Sequence, residues 1–322
     1  MPDDALMPDN ANVDQFDQIV DAVLAGAPPA SDPELAALTQ IAASLRDLPD
    51  ENFQKRLRSD LQRRATMTTS TVAPAREGFR TVTPFIVVPN ASELIEFLKQ
   101  TFDAEETNRH PHGTDGFVAS LKIGDSDLLI MGGQFLREQE RFGAFHVFVP
   151  DCDAAYDRAI KAGGTSLGEP ADRPYGERSG FVKDASGNYW YIATLLEGPP
   201  HTEGLGTVTP YAHPPKARPF IDFMKKAFNA QELAVYEQGG RVMHAAVRIG
   251  NTVMEMGESP DFQPSSFYLR VEDCDAAYQS ALAAGAMSLW PPTDQAWGDR
   301  TAGLQDPFGY QWIPSTPVKK DR

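Results

Sequence analysis

The residues best suited to chemistry gather in the C-terminal half of the chain: His213, His244, Glu255 and Arg270, interspersed with the aromatics Tyr211, Tyr268 and Trp312. All fall in short, apolar or β-branched stretches that read as strands, where alternation turns about half of the side chains to one face. His244 and Glu255 flank a Gly250-Asn251 turn, so they lie on adjacent strands of a hairpin, within reach across the ladder. Such a pair can serve as an oriented general base, as half of a divalent metal site, or as a structural polar pair. Arg300 beside Trp297, and Arg178 beside Tyr175, stand in loops before the penultimate strands. Each can clamp an anionic or planar ligand, or fix its loop by an ion pair with Asp299 or Glu177. The expected ligand-binding set is therefore Tyr211, His213, His244, Glu255, Tyr268, Arg270, Arg300 and Trp312.

The elements that must position these groups come from an internal repeat. Thr81-Val82-Thr83-Pro84-Phe85 returns as Thr207-Val208-Thr209-Pro210-Tyr211, and Lys122-Ile123-Gly124-Asp125 returns as Arg248-Ile249-Gly250-Asn251. Asp151-Cys152-Asp153-Ala154-Ala155-Tyr156 returns as Asp273-Cys274-Asp275-Ala276-Ala277-Tyr278, and Asp184-Ala185-Ser186-Gly187 as Asp306-Pro307-Phe308-Gly309. Residues 81–196 and 207–316 thus form two copies of one domain, joined by a Gly/Pro-rich linker. Within a copy, Val82 to Val88 reads as a strand. A helix follows with Leu94, Ile95, Leu98 and Phe102 inward, which Ser92 is placed to cap. A hairpin then turns at Gly124-Asp125. The pattern repeats from Phe145 through a helix at Asp153 to Ala162, ending at Gly163-Gly164. Read this way a module is β-α-β-β, with a further strand left open in the second half of each copy. The two cysteines occupy one repeated position and read as small buried hydrophobes, unpaired.

This order of motifs resembles the glyoxalase/bleomycin-resistance/dioxygenase family of the vicinal oxygen chelate superfamily. The resemblance implies an α+β fold of tandem domains built of paired βαβββ modules, each pair enclosing a cup. It also implies, for the metal-dependent members, a divalent ion held by two His or Glu ligands from each module. Aligning the strands puts Thr83, a residue near Ile130, Ala144 and Tyr191 at those places in the first copy, and Thr209, Glu255 or Met256, Ser266 and Ile313 in the second. A one-residue slip admits His146, with no second ligand beside it in its own copy. No metal or other cofactor is expected on this reading; a divalent metal belongs only to the enzymatic alternative. The first copy has Val118, Leu129 and Val87 where the second has His244, Glu255 and His213, so the second copy's cup is expected to take the ligand.

With 45 acidic against 29 basic side chains, a formal charge of −16 repels a phosphate backbone, and nucleic acid is not an expected partner. No apolar run reaches the ~20 residues of a bilayer span, and the acidic N-terminus is unlike a secretory signal. A cytoplasmic location and no membrane partner are expected. Residues 1–75 lie outside the repeat and read as three amphipathic helices and a Thr/Ser/Ala/Pro linker; the basic third helix suits an acidic protein partner or a solvated face. The function these observations favour is binding or sequestration of a small, partly aromatic molecule without a metal. The alternative is a lyase, isomerase or dioxygenase of the same superfamily acting through the second copy's cup.

Overall fold

The computed structural model describes residues 80–134, 141–196, 204–259 and 265–318. The chain divides into two compact units, residues 1–70 and 71–322, and all the described residues belong to the second. The helices and linker expected in residues 1–75, and the linker after Leu196, lie outside the described residues.

Four βαβββ modules follow one another. The first is β1 (Val82–Val88), α1 (Ala91–Phe102), β2 (Glu105–His112), β3 (Gly116–Ile123) and β4 (Ser126–Gly132). The second is β5 (Ala144–Phe148), α2 (Cys152–Lys161), β6 (Thr165–Arg173), β7 (Glu177–Lys183) and β8 (Tyr189–Leu195). The third is β9 (Val208–Ala212), α3 (Ala217–Phe228), β10 (Gln231–Gln238), β11 (Arg241–Ile249) and β12 (Thr252–Met256). The fourth is β13 (Ser266–Arg270), α4 (Cys274–Ala283), β14 (Met287–Asp294), β15 (Asp299–Gln305) and β16 (Gln311–Pro317). Helix α1 begins one residue before the expected cap: Asn90 is the N-cap, without a side-chain bond to the helix backbone. Asn90 instead donates to Glu93. In α2 and α4 the capping is by Asp151 and Asp273, whose carboxylates accept from Ala154 N and Ala276 N.

Two cores form, each following one sequence copy. In the first, α1 and α2 pack Leu94, Ile95, Leu98 and Phe102 with Ala155 and Ala159 against Ile86, Phe145, Val147 and Trp190. In the second, Phe220, Met224 and Phe228 meet Phe267, Leu269 and Trp312. Trp190 and Trp312 are fully buried, each worth roughly 2 to 3 kcal/mol of apolar burial, and each indole N–H is satisfied by the buried Asp184 or Asp306.

The sheets do not follow the copies. One eight-stranded sheet runs β14-β15-β16-β13-β1-β4-β3-β2, joining the fourth module to the first; the other runs β10-β11-β12-β9-β5-β8-β7-β6, joining the third to the second. The seams are antiparallel pairings of first strands, β1 with β13 and β5 with β9. The expectation that each copy encloses its own cup is therefore corrected: each cup face takes one module from each copy. The physical reason is that the first strand of every module has a free edge, which its own copy leaves unpaired while the helix faces are being buried. Reciprocal turn contacts hold the two copies together. Asn251 accepts from Thr81 N, and Asp125 accepts from Thr207 N.

Candidate functional site

Strand alternation assigns each side chain to the helix face or the opposite, helix-free face. On β5, Phe145 and Val147 enter the first core, so Ala144, His146 and Phe148 face away. By the same rule Tyr189 and Tyr191 on β8, Thr209 and Tyr211 on β9, Glu255 on β12 and His244 on β11 share that face, as do Glu177, Ser179 and Phe181 on β7. The sheet joining the second and third modules thus brings His146 and Glu177 from the first copy against Glu255 and His244 from the second.

These four make a relay. His146 Nδ1 lies 2.9 Å from Glu255 Oε2, and His146 Nε2 lies 3.4 Å from Glu177 Oε2. The second contact has an ion-pair distance but not hydrogen-bond geometry, leaving Nε2 buried without a hydrogen-bond partner. Glu255 Oε1 lies 3.3 Å from His244 Nε2, and the His244 side chain is 44% exposed against 9% for Glu255. The relay therefore runs from a buried ion pair out to solvent. Burial opposes charge on His146, but the close carboxylate of Glu177 and the hydrogen bond and charge of Glu255 outweigh it and raise the imidazole to about 9. Burial likewise opposes ionisation of Glu255, and His146 and His244 outweigh it, holding the carboxyl down at about 2. His146 is an imidazolium between carboxylates.

Beside the relay stands an aromatic wall. Tyr191 Oη and His213 Nε2 are 2.9 Å apart, and burial lowers His213 to about 4, so that ring is neutral near pH 7. Tyr211 packs edge-on to Tyr191 with centroids 5.1 Å apart and lies 5.0 Å from His213. Burial pushes both phenols above their usual range.

Of the residues singled out from the sequence, Tyr211, His213, His244 and Glu255 come together here. Tyr268 and Arg270 lie on the corresponding face of the other sheet, where both reach Asp299, and by strand alternation they share that face with Phe85, Val87 and Leu129. Trp312 is corrected: it points into the helix-side core, since β16 turns Trp312 opposite to Ile313. Arg300 is also corrected. It shares the helix side with α4, bonding Asp275 at the helix start and Asp294, and Arg178 repeats this with Asp153 and Asp172. Neither pairs with the expected Asp299 or Glu177, which alternate to the other face. The relay members His146 and Glu177, and Tyr191, were missing from the expected set: His146 and Tyr191 meet Glu255 and His213 of the other copy, while the expectation that nothing stands beside His146 in its own copy is corrected by Glu177, which β7 carries to within 3.4 Å of it.

The places a divalent ion would use in this sheet hold His146, Tyr191, Thr209 and Glu255. They do not fit it: Tyr191 and Thr209 offer hydroxyls where imidazole or carboxylate ligands are needed, and both ring nitrogens of His146 are turned to carboxylates. Among the described residues no group of three His, Cys, Asp or Glu is arranged to hold a metal ion.

The comparisons agree with the architecture. The model of the Glyoxalase/Bleomycin resistance protein/Dioxygenase superfamily matches residues 80–192 and 215–313, and the chain belongs to that superfamily. Over 115 residues, covering 31% of this chain, it is 40% identical to "Uncharacterized protein Mb0911c" of Mycobacterium bovis, of which that match spans 76%. The same identity and length hold for "Uncharacterized protein Rv0887c" of Mycobacterium tuberculosis, with 68% of that protein covered. Glyoxalase I from Zea mays superposes with a TM-score of 0.58 at 14% identity, over 73% of this chain and 92% of that one. At that identity the likeness concerns the fold alone.

Proposed function

We propose that the protein binds a small, partly aromatic molecule in the cup formed by the second and third modules. The observation that carries this is the convergence, on one helix-free face, of a neutral His213-Tyr191 pair, the edge-on Tyr211 and a half-exposed His244 over a buried ion pair. Aromatic walls with a few placed polar groups are what a small-molecule site requires. The burial of Glu177, His146 and Glu255 on a face that carries no helix is what a curled sheet produces. Its two cysteines are free and buried, which suits a reducing compartment, and we place the protein in the cytoplasm.

The test is a titration of the protein with phenol, following the imidazole C–H signals of its histidines by NMR. Signals of His213 and His244 should move together while that of His110, on β2 of the other sheet, stays. Movement of His110 alone would put the ligand in the wrong cup. His244→Ala should weaken binding by ~1 to 2 kcal/mol if the ring supplies one hydrogen bond.

A second reading, an enzyme of the same superfamily, is favoured by one observation: Glu255 orients a solvent-reachable His244, the arrangement of a base with its orienting group. It predicts turnover of a bound compound that His244→Ala abolishes while binding persists. Loss of binding and turnover in equal measure would return His244 to the binding role.

A further inference from the structure

Arg173, at the end of β6, is the one guanidinium placed on the cup face of the second module. Its register partner is Glu177, and its side chain turns along the strands: Nε donates to Ser179 Oγ at 3.2 Å and Nη2 to Ser179 O at 3.0 Å. The guanidinium carbon sits 4.8 Å over the Phe181 ring. Phe181 in turn meets Tyr191 edge-on at 5.4 Å, so one ring separates the cation from the Tyr191-His213 pair.

Most arginines on these sheets are spent on acids. Arg178 holds Asp153 and Asp172, and Arg300 holds Asp275 and Asp294. Arg109, which also covers a ring, that of Phe117, is paired with Glu106. Arg173 makes no ion pair among the described residues, and both N–H groups of Nη1 remain uncommitted. The repeat supplies an internal control. At the equivalent place the fourth module has Gln295, whose amide donates to Thr301 Oγ1 at 3.0 Å, and Thr301 is the equivalent of Ser179. An amide therefore satisfies the structural bond; the guanidinium adds a charge and a planar donor edge that the fold does not need. The cup's carboxylates are not competitors for it, because Glu177 and Glu255 already serve buried His146.

We propose that Arg173 is the anion-recognising residue of this cup, and that its preferred ligands are small aromatic acids. The carboxylate would pair with the free edge of the guanidinium, a planar match for two oxygens, and the ring would lie toward Tyr191, Tyr211 and His213. The assignment rests on the ligand-binding reading of the same cup and adds to it the charge of the ligand.

The experiment compares benzoate with benzamide, which match in shape and differ in charge, on the full chain. Affinity is read by calorimetry and location by the His213 and His244 ring signals. Benzoate should bind about tenfold tighter than benzamide, with the advantage shrinking as salt is added. Arg173→Gln, which keeps the Ser179 bond as Gln295 keeps Thr301, should erase the preference by bringing benzoate down to the affinity of benzamide. Arg173→Lys, retaining charge without the fork, should keep only part of it and serves if the glutamine variant misfolds. Equal affinities in the wild type, or a preference that survives Arg173→Gln, would overturn the assignment while the shifting histidine signals still support the cup. If neither compound moves those signals, the cup reading and this inference fall together.

Discussion

At the scale of single residues, the buried relay decides how stability follows pH. His146 titrates higher in the folded chain than in the unfolded one, so its protonated form stabilises the fold. That contribution is complete below the unfolded value of 6.5 and disappears as pH rises through about 9. Glu255 is depressed, so its contribution is complete above 4.5 and is lost as pH falls toward about 2. Both terms are full only between those unfolded values, and urea denaturation from pH 4 to 10 should show the relay's contribution greatest there and falling on the alkaline side. Glu255→Gln leaves the imidazolium with only Glu177 and should cost about 3 kcal/mol at pH 6. A variant as stable as wild type would mean that His146 is neutral. The sequence made half of this site readable: His244 and Glu255 flank one turn, so hairpin geometry alone couples them. His146 and Glu177 were not readable, because their distance from Glu255 depends on which modules share a sheet, and strand periodicity within a copy carries no information about that.

At the scale of elements, strands with one buried face were legible and the outermost ones were not. β2, with the sequence EETNRHPH, is exposed along nearly its whole length, and β14 is similar. An edge strand wet on both faces has no apolar alternation to read, and Pro111, Pro291 and Pro292 within these two strands argue against a strand anywhere but at an edge. The helices were legible because one face of each is buried, although the first cap was misplaced: Ser92 and Asn90 are both capping types two residues apart. The turns after β3 and β11 have tertiary work that the repeat alone did not reveal. Gly124 and Gly250 have φ of +57°, and a Cβ on either would collide with the side chain of Thr207 or Thr81. Gly250→Ala should therefore destabilise by about 2 kcal/mol or more, from backbone strain and loss of the Thr81-Asn251 contact together. Thermal unfolding of Gly250→Ala beside Gly239→Ala checks this, since Gly239 also has positive φ but open space around it; equal losses would assign the effect to φ alone.

At the scale of the whole molecule, cores follow sequence copies and sheets cross between them. A fragment of residues 80–196 keeps α1, α2 and their shared core but exposes the edges of both β1 and β5. Two such fragments can pair β1 with β5 reciprocally, an isologous arrangement, so the fragment should run as a dimer by light scattering. A stable monomer would show that the edges are dispensable. The dimer would set His146 beside Leu129 rather than Glu255, leaving only Glu177 to raise its imidazole, so the upward shift should be smaller than in the full chain, a difference visible in its NMR titration.

The crossing of sheets between copies also orders events on the ribosome. Once residue 196 has emerged, the first core can close, and β9, arriving directly after the linker, can pair with β5. β1 must wait until Ser266 and the rest of β13 have been synthesised before its seam partner exists. During that interval an apolar strand lies beside other nascent chains with one side open, the situation that favours mispairing between molecules. Pro84 and Pro210 sit at the same position of β1 and β9, but the seam bonds from Arg270 N to Thr81 O and from Phe148 N to Thr207 O turn their missing donors away from the seams, so the waiting edge of β1 keeps its full set of donors and has to be closed by the arrival of β13.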